Sequence, residues 1–257
     1  MSLPLRRLTV AMIGLVFVII ALMLLLVTVQ PVKAGELFYN LDAKAKMTAG
    51  TARQINGIFV TGTDPAVTVD ATLSSGWLYV GAQLGNESQW LTGNTADAQY
   101  RAGVAHAFDL GFGKMDFDVG GKYYEFFGNK CHDLNFWEVY GNAGGEVAGF
   151  KLHGGVAYAD NLLNGLGKRL RYEGGASVPL LFAKNDVAAI SAFANVAYND
   201  LSDAKFSYTD WQAGIEAERN HYFVRAYYAA NDLPTIPGPW KDLEKERVVI
   251  ELGAKFD

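Results

Sequence analysis

From Leu37 onward apolar and polar side chains alternate residue by residue. Leu37, Tyr39, Leu41, Ala43, Ala45 and Met47 share one parity, and Asn40, Asp42, Lys44 and Lys46 the other. A period of two puts one set on each face of a strand, whereas a helix repeats every 3.6 residues. The alternation returns over residues 67–73, 78–84, 100–108, 115–123, 137–142, 150–158, 170–178, 190–198, 211–217, 222–228 and 248–256, which predicts twelve strands. No 3.6-residue stripe follows residue 34, so the body is all-β.

Two architectures share this alternation. A soluble sandwich turns its apolar face inward, while a membrane barrel turns it outward to lipid and keeps a wet interior. Gly103, Gly120, Gly155, Gly175 and Gly253 sit on the polar parity. Glycine weakens a solvated strand face but suits a crowded, curved barrel interior. Tyr39, Tyr79, Tyr123, Trp137, Tyr158, Tyr172, Trp211 and Tyr222 lie near strand ends, as in interfacial aromatic girdles. Connections alternate in length as well. Those at 49–63, 86–96, 126–133, 160–167, 200–206 and 231–245 alternate with turns at 74–76, 109–114, 147–149, 179–186 and 219–221. The fold class expected is therefore a transmembrane antiparallel β-barrel of about twelve strands, with short periplasmic turns and longer external loops. Pro234, Pro237 and Pro239 in the last loop belong outside a ladder.

The N-terminus sets the compartment. Arg6 and Arg7 precede an uncharged apolar run from Leu8 to Val29, followed by Pro31, Val32, Lys33 and Ala34. This is the order of a secretory signal, with cleavage expected after Ala34; the alternative is a retained helix, since the run is long enough to span a bilayer. Residues 1–34 are thus a signal segment and 35–257 a single outer-membrane barrel domain. Cleavage removes three of the 22 basic residues and none of the 27 acids, leaving a net charge of −8 on the mature chain. That balance, with no basic run, excludes a nucleic-acid footprint. At 50% hydrophobic residues the chain is not disordered, and its single cysteine, Cys131, makes no internal disulfide.

Several segments resemble the TorF-like family of outer-membrane porins of Gram-negative bacteria. They are Asn56-Gly-Ile-Phe with Asp64-Pro-Ala-Val, Ser75-Gly-Trp-Leu-Tyr-Val-Gly81, Lys122-Tyr-Tyr-Glu-Phe-Phe-Gly128, Asn135-Phe-Trp-Glu-Val-Tyr-Gly141, Tyr208-Thr-Asp-Trp-Gln-Ala-Gly214 and Glu246-Arg-Val-Val-Ile-Glu-Leu252. They run collinearly through nearly the whole mature chain. The resemblance implies a porin. Where the family has an aromatic and Arg-rich entry to the first loop, residues 48–58 here hold only Arg53, and Phe256 is followed by Asp257.

Charged side chains on the polar parity supply the candidate chemistry. An Arg or Lys facing lipid at the midplane costs about 2–4 kcal/mol. Lys44, Lys46, Asp70, Arg101, Asp116, Asp118, Lys122, Glu138, Lys151, Arg169, Arg171, Glu173, Glu216, Arg225 and Glu251 are therefore the expected pore-lining residues, with Asp42, Glu146, Asp210, Glu218 and Lys255 on the same parity. They suit a hydrated pore whose transverse field sorts ions, or a filled interior in which they pair. Arg169 and Arg171, with Lys151 on the next strand, make a basic rung facing Asp116, Asp118, Glu216 and Glu218 in the first reading, but ordinary ion pairing is the account expected of them.

A lipid-modifying enzyme needs a nucleophile beside a positioned histidine. His106, His132, His153 and His221 are the candidates, but no nucleophile-elbow motif accompanies them. Cys131 and His132 make only two ligands, too few for zinc. Gly141-Asn-Ala-Gly-Gly145 lacks the lysine and following helix of a phosphate loop and reads as strand curvature. No cofactor, metal or catalytic step is expected. The expected function is passive diffusion of small hydrophilic solutes or ions through an outer-membrane, porin-like channel. The alternatives are a non-conducting structural or adhesive barrel and, third, the enzyme. Expected partners are outer-membrane lipid, the barrel-insertion machinery and the solutes, with the barrel a monomer.

Overall fold

The computed structural model describes residues 41–256 apart from 62–63, 88–95, 112, 129–133, 148, 163–165, 182–187 and 235–245. The signal segment, its cleavage after Ala34, Tyr39, Cys131 and His132 lie outside the described residues. Strands run in chain order β1 (Leu41–Gly50), β2 (Gln54–Ile55), β3 (Ile58–Phe59), β4 (Ala66–Ser75), β5 (Leu78–Asn86), β6 (Ala96–Asp109) and β7 (Lys114–Phe127). They continue with β8 (Phe136–Val147), β9 (Phe150–Ala159), β10 (Arg169–Leu181), β11 (Ala189–Leu201), β12 (Phe206–Arg219), β13 (Tyr222–Asn231) and β14 (Glu246–Phe256).

Twelve of these close into one antiparallel barrel, in the ring order β1, β14, β13 and so on down to β4. β1 seals the ring by pairing with β14 on one side and, past the short β2 and β3, with β4 on the other. A closed sheet leaves no unpaired edge, which is what allows strands to sit in lipid. The twelve strands expected from the alternation are all present. Two local readings need correction. Pro179 pairs with Ser191 inside β10 rather than sitting in the following connection, and the register shifts directly after it. A bulge at a strand end tolerates a residue with no N–H to give. Tyr79 does not join a girdle: its hydroxyl donates to Asp118 at 2.7 Å, on the polar face.

The polar face is the concave one. Strands two apart in a sheet are separated by about 9–10 Å, so side chains bridge them only where curvature brings them together. Such bridges recur: Arg101 on β6 to Asp70 on β4, Arg171 on β10 to Asp210 on β12, Lys255 on β14 to Glu218 on β12. The opposite face carries large exposed apolar residues, among them Val119 at 60%, Val139 at 59% and Leu252 at 59%. At the long-loop end Tyr100, Tyr123, Trp137, Tyr158, Tyr172, Tyr198, Trp211 and Tyr228 ring this outer face, one on each strand from β6 to β13. Tyr100, Tyr123 and Trp137 are direct register partners, as are Tyr172 and Tyr198. Trp77, Phe108, Tyr222 and Phe256 occupy the outer face at the short-turn end. The eight steps from Tyr100 to Phe108 span about 26 Å of strand at roughly 3.3 Å each.

Candidate functional site in the barrel lumen

The first long loop does not project outward. Asn56 and Gly57 both have positive φ (51° and 80°), as the two central residues of a type I′ turn require, and Ile55 pairs with Ile58 across them. This hairpin lies inside the barrel. At its base the Arg53 guanidinium donates to both carboxylate oxygens of Asp97 on β6, and the pair is 7% and 0% exposed. At its tip the Asn56 carbonyl accepts from Tyr208 Oη at 2.8 Å, and that of Gly57 from Asn231 Nδ2 at 3.0 Å. β6 and β12 stand six places apart in a ring of twelve, so the segment crosses the lumen from wall to wall.

Apolar packing reinforces the crossing. Ile55, Ile58 and Val60 join Tyr124, Phe136, Ala159, Leu201 and Tyr208 in one buried cluster, and Ala52 and Phe59 join Tyr227, Ala229 and Val249 in another. Tyr124 stacks on Phe136 with ring centroids 4.3 Å apart. The Arg247 guanidinium lies over Phe59 at 5.9 Å. Gly57 has no room for a Cβ, because the Asp210 side chain occupies that space. The other half of the lumen, towards the short turns, is wetter: Asp42, Lys44, Asp116, Lys151 and His153 are exposed there.

The structure places all fifteen residues expected along the pore on the concave face, and gathers most into pairs. Arg101 grips Asp70 with two hydrogen bonds of 2.6 and 2.7 Å. Asp118 accepts from Tyr79, which also meets the Tyr140 hydroxyl. Glu138 takes both Lys122, at 3.2 Å, and Arg169. Arg171 holds Glu173 at 3.0 Å and Asp210 at 2.7 Å, with Asn199 Oδ1 at 3.1 Å. Arg225 Nε donates to Glu216 at 2.9 Å, and Tyr227 to Glu251 at 2.7 Å. Lys46 lies over the Phe223 ring at 4.9 Å, and Lys44 meets Asp42 at 3.5 Å on an exposed surface. Arg169 and Arg171 thus sit in ordinary ion pairs with Glu138, Glu173 and Asp210 rather than in a rung set against Asp116, Asp118, Glu216 and Glu218.

Sequence reading missed Arg53, Asp97, Tyr124, Tyr208 and Asn231 as site residues. Two signals were there to read: Asn-Gly between two isoleucines specifies a hairpin, and Ile58-Phe-Val60 is too apolar for a loop in water. Inner-face glycines make room for large neighbours, as Gly103 does beneath Tyr79 and Gly120 beneath Tyr140. His106 packs on the outer face against Trp77 and Phe108, at 4.3 and 4.5 Å. Among the described residues no three metal-ligating side chains come together.

No curated protein matches the chain. Solved structures of similar fold include an outer membrane channel from Pseudomonas putida F1, at 10% identity and a TM-score of 0.46, covering 88% of this chain and 98% of that one. OccAB4 of Acinetobacter baumannii follows at 12% and 0.44, and LpxR from Salmonella typhimurium at 7% and 0.43. They cover 80% and 84% of this chain; the chain spans 56% of OccAB4 and 99% of LpxR. These likenesses concern the barrel fold alone. The family model that matches residues 43–256 is described as a bacterial protein of unknown function, Gcw_chp, a coarser description than the TorF-like porin resemblance. Its match runs from within β1 to the end of β14, and the chain is a member of the Gcw_chp family.

Proposed function

We propose that this protein is an outer-membrane barrel that passes small hydrophilic solutes or ions through a lumen narrowed by its own first loop. The TorF-like porin assignment belongs to the same proposal. The observation that carries it is the pairing of an exposed apolar exterior with a charged interior crossed by residues 52–61. An apolar exterior with aromatic girdles suits lipid. Charges enclosed around water set a transverse field that favours some ions over others. The proposed passage is passive and invokes no covalent step.

Planar-bilayer conductance of the refolded mature barrel tests this, with the native protein beside a variant lacking residues 54–59. Small native currents that grow several-fold in the variant support the proposal. Silence in both removes the channel. The depth of the hairpin's burial favours one second reading, a fully plugged barrel; silence in the native protein with conduction in the variant would establish it.

A further inference from the structure

Most buried cations of the lumen have carboxylates to themselves: Arg53 holds Asp97, and Arg171 holds Asp210 and Glu173. Glu138 breaks the pattern. Its Oε1 accepts from Lys122 Nζ at 3.2 Å and its Oε2 from Arg169 Nη2, so one carboxylate serves two cations. Arg169 is 0% exposed, and its buried Nε and Nη1 meet no acceptor among the described residues. A guanidinium stays charged at any ordinary pH, and unmade donors on a buried ion are costly.

The register explains the arrangement. Lys122, Glu138, Ala159 and Arg169 are successive partners along one rung from β7 to β10. Ala159 is too small to fill its place, so Arg169 reaches across it to Glu138. The next residue on the rung, Arg101, is already satisfied by both oxygens of Asp70 and donates nothing to the group. Two cations and one carboxylate leave an excess positive charge. Lys122 keeps 29% of its side chain exposed, so the rung touches water on that side.

We infer that this rung is a binding site for a small oxyanion, a carboxylate or phosphate, held by the Nε and Nη1 donors of Arg169 and the ammonium of Lys122. Guanidinium donors match planar oxyanions in geometry and charge. Entry is from the Lys122 side, and the sealed Arg169 nitrogens reach the ligand by a swing of the guanidinium. As a statement of which solutes the barrel passes, the inference rests on the channel reading; as a statement of binding, it is measured without any conduction.

The test is the thermal unfolding midpoint of the mature barrel refolded in detergent, titrated with acetate or inorganic phosphate against chloride at constant ionic strength. A ligand that binds only the folded state raises the midpoint saturably. The expected result is such a rise with at least one of the two anions, lost in Arg169→Gln and weakened in Lys122→Met. Glu138→Gln frees both cations and tightens binding about tenfold, the effect of one removed competing charge worth roughly 1.4 kcal/mol. A purely structural role for Arg169 gives no such gain. If Arg169→Gln fails to refold, the opposite responses of Lys122→Met and Glu138→Gln decide. No saturable rise in the native barrel, an equal rise in Arg169→Gln, or no gain in Glu138→Gln overturns the site. A barrel silent in bilayers that still shows the acetate or phosphate response loses the channel and keeps the site.

Discussion

Arg53 and Asp97 lie 44 residues apart in sequence and are joined by two hydrogen bonds almost out of contact with water. Removing one partner of such a pair strands the other charge, at a cost of about 3–5 kcal/mol. Asp97→Ala is therefore expected to destabilise the barrel by that amount in denaturant unfolding. Arg53→Ala/Asp97→Ala should cost less than the sum of the single changes. Losses below about 1 kcal/mol would mean that the pair behaves as a surface contact. Gly57 is constrained twice, by a φ of +80° and by the Asp210 side chain pressed against it. Gly57→Val is expected to expose residues 51–61 to protease while the barrel itself stays intact; unchanged cleavage would show that the turn is not strained by a side chain.

Along the barrel strands, outside the bulge after Pro179, lipid-facing and lumen-facing residues alternate, so one step along the chain reverses the effect of a charge. Val119 is 60% exposed midway along β7. Val119→Arg is expected to lower stability by about 2–4 kcal/mol in bilayers. On the inner face of β12, Gln212→Arg should leave stability nearly unchanged and shift reversal potentials under a salt gradient towards anions. Equal penalties at the two positions would contradict the assignment of faces. The same alternation made the twelve strands legible in the sequence, because burial on one face imposes a period of two wherever a strand occurs. Tyr79 departs from the girdle because its parity, not its aromatic ring, decides its face. The hairpin escaped that logic, because two-residue strands carry no period, although Asn56-Gly57 between isoleucines did specify the turn. Charge partners two strands apart were not legible. Arg169 finds Glu138 across β9, and Arg171 finds Asp210 across β11, through curvature and register that no local pattern encodes.

At the scale of the whole molecule, closure explains how so much charge is tolerated: the ring confines the lumen's ionised side chains among themselves while the apolar set faces out. β1 pairs directly with β4, so the barrel seam does not depend on β2 and β3. Removing residues 54–59 should consequently leave a folded barrel with the heat-dependent gel mobility of the native one. The inside-out arrangement is tested most directly at adjacent positions of β9, where Leu152 and His153 are both exposed but on opposite faces. With Cys131 replaced by Ser, Leu152→Cys and His153→Cys barrels in lipid vesicles are reacted with a lipid-phase maleimide and with a water-soluble one. Residue 152 should take up the lipid-phase reagent and resist the soluble one, and residue 153 the reverse. Labelling of both by the soluble reagent alone, or the opposite preference, would contradict a charged lumen enclosed by an apolar wall.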